Sequence, residues 1–333
     1  MATIEDVAKL AGTSIATVSR VINNKGKVSE KTKIKVLKAI EELNYKPSSQ
    51  AKHLAKVKYG FKIGVLFSDR IKNILEKNKN EFGEMDFYST VLEGIYDGAK
   101  ENKSKIRLFT FNEYLKSEKD CDGILIIGSD KIPDEILNSN INIVLVDNYI
   151  VGRKINAVIS NGFDGAYYVI DKMIKRNYKK IVHVHGPLEF YGFRRRYEGY
   201  KLAMKKNNLL PITYEVAENQ ESINYIINLI LSKKPEIIFA SNDPIAIMIL
   251  NALKSKNVKV PNEIQIIGFD DIVFSSTIEP SLSTVKVFKY EMGNVAFERV
   301  IDLINGKNMH PYVTSLFTEF IERNSTKKFN KED

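Results

Sequence analysis

Three rhythms of apolar spacing follow one another along this chain, and their boundaries divide it. In the first, Ile4, Val7, Ala8 and Ala11 recur at i, i+3, i+4 and i+7, which predicts a short helix with one apolar face. Thr3 stands at its N-cap, Glu5 and Asp6 suit the positive end of its dipole, and Gly12 supplies the stop. Ser14 opens a second helix from Ile15 to about Ile22 with Val18, Val21 and Ile22 inward; small Ala8 lets it approach the first closely. Ser29 caps a third helix through Leu43, expected to bury Ile34, Leu37 and Ile40 against the other two. Two short helices joined by a tight Gly-containing turn make a helix-turn-helix unit.

The second rhythm is brief. After Pro47, residues 48–56 can form a helix capped by Ser48 or Ser49, but one of about eight residues is marginal in water because nucleation is costly. It is expected to be helical only when held. From Phe61 the third rhythm begins: the continuous apolar runs KIGVLF, RLFTF, GILII, NIVLVD, KIVHVHG, IIFA and QIIGFD. Amphipathic helices at 89–100, 164–175, 194–207, 222–232 and 243–255 lie between them. Continuous apolar strands alternating with helices predict parallel sheets covered on both faces. Seven strands followed by a terminal helix and strand exceed one compact sheet, so two lobes are expected, with a ligand at the carboxyl ends of the strands in the cleft between them.

Charge sharpens this division. Residues 1–60 carry 12 Lys and Arg against 5 Asp and Glu, so most of the net +9 sits in the first sixth of the chain. Such a patch attracts a polyanion through counterion release. The second helix leaves Ile15, Ala16, Ser19 and Arg20 near its exposed side. A branched apolar residue such as Ile15 has little structural reason to face water there; it suits thymine methyls on a major-groove floor, while Arg20 suits a guanine edge. No apolar run is long enough to span a bilayer, and no hydrophobic signal segment follows the start. The lone Cys121 excludes an internal disulfide framework and a Cys-based zinc cluster. Together these features point to the cytoplasm. His183 and His185 alternate with Val182 and Val184 on one strand, a spacing that reads as packing rather than a metal pair. No Gly-rich phosphate loop follows a strand and no nucleophile–base set is evident, so neither a cofactor nor an enzymatic activity is expected.

The stretch TIEDVAKLAGTSIATVSRVINNKGKVSEKTKIKVLKAIEELNYKPSSQAKHLA resembles the headpiece of the LacI/GalR family of bacterial repressors, gap-free, with VSRVIN and NYKP in register. YGFRRRYEGY, FASNDPIAI, IIGFDD and FTEFIERNST are similar to the family's effector-binding core, itself like periplasmic sugar-binding proteins. The resemblance implies an all-α helix-turn-helix headpiece (1–46), a hinge helix and linker (47–60), and a two-lobed α/β periplasmic-binding-protein-like sensor (61–333). Its N-lobe would span about 61–159 and 289–318, its C-lobe about 160–288 and 319–326. DNA contacts would fall on Thr3, Ser14, Ile15, Ala16, Thr17, Ser19, Arg20, Asn23 and Lys27, with hinge residues Leu54 and Ala55; Leu54 matches the leucine that the family wedges between base steps.

Residue-by-residue matching likewise implies an effector site of Asp147, Arg196, Asn242 and Asp270, with Phe87, Tyr88, Phe190 and Phe269 as aromatic cover. Carboxylates and a guanidinium bind adjacent hydroxyls bidentately, and aromatic rings cover a pyranose face, so a neutral sugar suits this set better than a dianion. Asp243 and Asp271 are expected to act as helix caps. The implied partners are a pseudo-palindromic double-stranded operator, a small sugar and a second copy of the chain, with no membrane. A catabolite-type regulator with a protein co-effector is less favoured, because Glu298 stands where that subgroup uses a basic residue. The galactose-repressor branch fits Ile15-Ala16-Thr17 better. A sugar-binding protein without a DNA role leaves the headpiece unexplained. The chain departs from the family at two places: 68–85 is longer and highly charged, and the stretch between RLFTF and GILII is shorter.

Overall fold

The computed structural model describes residues 2–22, 28–43, 60–76, 84–118, 120–128 and 131–328. It divides into two compact units, Met1–Gly60 and Phe61–Asp333. The first holds helices α1 (Ile4–Leu10), α2 (Ile15–Ile22) and α3 (Glu30–Glu42). Thr3 and Asp6 form a reciprocal capping box at the start of α1. Gly12, at φ +62°, turns the chain out of that helix in the left-handed conformation that other residues resist. The Ser14 and Ser29 hydroxyls accept the backbone N–H groups of Thr17 and Thr32, each at 3.2 Å, and so start α2 and α3.

Val7, Ala8, Ala11, Val18, Val21, Val36 and Ala39 make the headpiece core, with Ile40 and Leu43 partly buried beside them. One expectation fails here. Ile34 and Leu37 are 63% and 49% exposed rather than buried. The inward stripe of α3 is Val36, Ala39, Ile40 and Leu43, and at about 100° per residue Ile34 and Leu37 are carried round to its other side. Both stripes satisfy the helical period, so periodicity alone did not choose between them.

The second unit has the expected two-lobed α/β architecture. One six-stranded sheet, in the order β11-β5-β4-β3-β1-β2, is parallel throughout: β1 (Lys62–Phe67), β2 (Lys105–Thr110), β3 (Gly123–Ile127), β4 (Asn142–Val146), β5 (Asn156–Ser160) and β11 (Val313–Leu316). The other, ordered β12-β10-β9-β8-β6-β7, contains β6 (Ile181–His185), β7 (Ile212–Glu215), β8 (Ile237–Ala240), β9 (Gln265–Asp270), β10 (Ser283–Lys286) and the antiparallel edge β12 (Glu319–Ile321). Helices cover both. Those the site uses are α4 (Asp69–Glu76), α5 (Glu84–Glu101), α6 (Phe111–Lys116), α8 (Gly162–Lys175), α9 (Tyr191–Lys206), α11 (Asp243–Ser255) and α13 (Lys289–Ile304); α7 (Asp134–Leu137), α10 (Gln220–Ser232) and α12 (Val273–Thr277) complete the set. The chain passes between lobes three times: after β5, between β10 and α13, and between β11 and β12.

Twelve described strands replace the seven apolar runs plus one. β7 is a half-exposed edge, and β10 buries Ser283 and Thr284 by hydrogen-bonding them to Thr326 and Asp243. Such polar or exposed strands carry no continuous apolar run to read.

Candidate functional site

Within the headpiece, Ser14 is exposed just before α2, Ala16 and Arg20 are exposed on it, Ile15 is 45% exposed, and Thr17 and Ser19 are half-buried. The Thr17 hydroxyl hydrogen-bonds to that of Ser14 at 2.9 Å, and the Thr3 hydroxyl donates to Asp6 at 2.9 Å while accepting the Asp6 N–H. Those capping bonds, first of all the Thr3 backbone N–H, hold the Asp6 carboxyl below the usual carboxylate range. Four further candidates, Asn23, Lys27, Leu54 and Ala55, lie outside the described residues, as does the hinge segment 48–56. α2 thus offers an apolar residue and a guanidinium to the same surroundings, a combination suited to a major-groove floor.

In the second unit, strand ends from both lobes meet at a solvent-open cleft. Seven of the eight residues expected at an effector site line it: Phe87, Tyr88, Asp147, Phe190, Arg196, Asn242 and Asp270. The eighth, Phe269, does not. It is wholly buried, and the Arg196 guanidinium covers its ring at 4.0 Å, so it supports the arginine instead of a ligand. This corrects the expectation that it covers a sugar face: the ring is buried beneath the Arg196 guanidinium.

Arg196 organises the C-lobe wall. Gly199 brings α9 onto α8 so closely that a Cβ there would lie 2.2 Å from the Phe163 carbonyl, and a side chain at Gly162 would press on the Arg196 stem. Thus seated, Arg196 donates Nη1 to the Ser241 carbonyl at 2.5 Å and Nη2 to Asp270 Oδ1 at 2.7 Å. Asp270 and Asp271 both have positive φ, +108° and +52°. Buried Lys289 holds this strained turn by donating to both carbonyls, and Arg323 binds the Asp271 carboxylate at 2.6 Å. Strain so thoroughly tied down is typical of sites where a side chain must be aimed.

Asn242 caps α11, its Oδ1 accepting the Ile245 N–H at 3.0 Å, while its Nδ2 donates to Glu218 at 2.7 Å. The caps expected at Asp243 and Asp271 are therefore not formed by those residues. Asp243 is buried one position further on; it accepts from Ile272 N–H, Ser275 and Thr284 and ties three elements together. Across the cleft, Asp147 ends β4 at φ +57°. Burial pushes its carboxyl up to about 7, opposed by Arg196 and reinforced by the Asp270 charge. The lobes also touch: Arg70 lies 5.0 Å over the Phe190 ring, and Tyr149 meets Tyr191 edge-on at 6.1 Å.

Behind the sheet, His183 stacks on Phe239 at 4.8 Å and donates its Nδ1–H to the Phe239 carbonyl, 2.9 Å away. Burial drives its pKa down to about 3, so it is a neutral packing group.

Sequence reasoning missed Arg70, Phe193 and Glu218, which also line the cleft. Arg70 follows the carboxyl end of β1, where the rule for such folds could have found it. Glu218 follows β7, a strand without an apolar run, so no signal pointed there.

Comparisons agree with this division. Residues 3–48 match the model for bacterial regulatory proteins of the lacI family, and residues 170–326 match that for a periplasmic-binding-protein-like domain. The chain is 31% identical to the ribose operon repressor of Halalkalibacterium halodurans, covering 98% of each. It is 31% identical to the HTH-type transcriptional repressor PurR of Vibrio atlanticus over 99% of this chain and 100% of the relative. A lac repressor dimer solved with its operator and the anti-inducer ONPF superposes at a TM-score of 0.69, with 24% identity and coverage of 98% of this chain and 99% of that one.

Proposed function

The chain belongs to the LacI family of bacterial regulatory proteins, and we propose that it is a repressor that binds a pseudo-palindromic operator as a homodimer, under the control of a neutral sugar held between its lobes. It is a DNA-binding transcriptional regulator, not an enzyme. Among the described residues no helix is long and apolar enough to cross a membrane. The observation that carries the effector reading is convergence: acidic, amide and guanidinium groups from both lobes share one aromatic-walled cleft.

A neutral polyol suits the charge balance. Arg196 is matched by Asp270 and Glu218 bonds Asn242, so the polar wall offers fixed hydrogen-bonding groups instead of an uncompensated cation. A ligand touching both lobes favours one relative arrangement of them, and its differential affinity for two arrangements is what can couple to DNA, commonly by about 1–3 kcal/mol. A two-fold operator requires two headpieces, which is the reason for the dimer.

The test uses labelled DNA selected from a random pool, followed by fluorescence anisotropy at several salt concentrations and with sugars added. Selected DNA should bind far more tightly than random DNA, weaken steeply with salt, and respond to one class of sugar. Arg20→Ala should cost about 1–3 kcal/mol on the selected site and relax one base pair. Equal affinity for selected and random sequences would refute the operator reading; indifference to every sugar would refute the effector reading.

A further inference from the structure

The segment that follows β1 and the one that follows β2 meet in space. Residues Asp69–Glu76 form α4 directly after β1, and residues Phe111–Lys116 form α6 directly after β2. The Ser68 hydroxyl accepts the Ile71 N–H at 3.2 Å and starts α4 directly beyond the carboxyl end of β1. Ile71 is fully buried and fills the space beside Gly128, at the end of β3. On the outer side, Lys72 binds Glu113 of α6 at 2.8 Å, and Asn112 donates to Asp69 at 3.4 Å. Glu113 is itself fastened by the capping box at Thr110, and the Lys72 contact together with that cap pulls its carboxyl down to about 2. α4 is therefore clamped from below and from the side. Arg70 lies between these two anchors, on the cleft.

We propose that Arg70 is a ligand-reading residue of the cleft, and that α4 and α6 act as a brace that sets it there. Its guanidinium lies over the Phe190 ring, and its five N–H donors are more than one contact uses. Among the described lining residues it is the cation contributed by the N-lobe, opposite Arg196 on the C-lobe, while Asp147 faces the cleft from the same side. A ligand held here presents acceptor oxygens toward Arg70 and hydroxyl donors toward Asp147. A ring oxygen and a neighbouring hydroxyl of a sugar supply that pair of roles. Lys72 and Glu113 touch no ligand in this scheme. They are positioning residues.

This inference rests on the cleft being a sugar site, and the experiment separates the two. The full chain is titrated calorimetrically against a panel of neutral pentoses, hexoses and their disaccharides, as wild type, Arg70→Ala, Arg70→Lys and Lys72→Ala, with melting temperature recorded for each. Arg70→Ala should bind the sugar taken by wild type at least about tenfold more weakly, since a hydrogen bond from a charged donor is lost. Arg70→Lys should recover part of that loss, keeping the charge without the fork. Lys72→Ala should lose several-fold, although its side chain is remote from the ligand, and this loss should shrink in deoxy sugars that lack the oxygen Arg70 reads. A merely structural role would lower the melting temperature and affect all sugars equally. Wild-type affinity in Arg70→Ala would overturn the assignment and leave the sugar site standing. Failure of wild type to bind any panel member would overturn the sugar reading and this assignment with it.

Discussion

The Arg196–Asp270 pair makes two demands that can be measured separately, because it is both buried and part of the cleft wall. Replacing Arg196 with Ala strips the donor from Asp270 Oδ1 and from the Ser241 carbonyl, and opens the space over Phe269. The arginine is 4% exposed, so neither acceptor regains full solvation. Removing one partner of a buried ion pair costs about 3–5 kcal/mol, chiefly through the charge left behind. Asp270→Asn retains an acceptor at nearly the same place and should cost less, about 1–2 kcal/mol. For a unit of this size, Arg196→Ala then lowers the melting temperature by roughly 10 °C. The assay is urea unfolding followed by circular dichroism on wild type, both single variants and the double variant. Because each side chain compensates the burial of the other, the double variant should be more stable than the sum of the singles predicts by about 1–3 kcal/mol. A loss below about 1 kcal/mol for Arg196→Ala, or additivity within about 0.5 kcal/mol, would refute the claim that the pair is desolvated. Sugar titrations at a temperature well below the transition complete the experiment: both folded variants should have lost the effector response.

Two further outcomes follow from particular groups. Asp147 is raised from 3.8 to about 7 in the folded chain, so its contribution to stability is full below 3.8 and is lost as pH rises through about 7. Asp147→Asn should therefore flatten the decline in melting temperature across that window. Sugar hydroxyls donating to the ionised carboxylate should make wild-type binding tighten and release a proton as pH rises through the same range; calorimetry in buffers of different ionisation enthalpy reads this, and a pH-independent affinity contradicts it. For the hinge, Leu54→Ala should lower operator affinity and DNA bending while leaving sugar binding intact, and amides at 49–56 should gain protection only in the DNA complex. Equal protection in free protein would show a permanent helix.

Much of this molecule was legible along the chain because its signals are local. Thr3, Ser14 and Ser29 start the three headpiece helices through bonds to N–H groups three residues away, and Gly12 ends the first through its own backbone conformation. Buried parallel strands announce themselves as continuous apolar runs, so the two-lobed α/β core was readable, as was the placing of Asp147, Asn242 and Asp270 just where strands end. What tertiary structure alone decided is how faces and distant segments are used. Ile34 and Leu37 lie on a stripe as regular as that of Val36, Ala39, Ile40 and Leu43; only the position of the other two helices selects which turns inward. Phe269 was correctly placed beside the site but lies buried under Arg196. Asp243 resembles a cap by sequence, yet it binds Ser275 and Thr284, more than thirty residues onward, because folding brings them together around a carboxylate that would otherwise be buried without donors. Arg70 reaches the cleft through a helix clamped by Lys72 to Glu113, forty-one residues apart. Local rules act over a few residues through backbone geometry, whereas these choices are made by packing and desolvation among groups that meet only when the chain is folded.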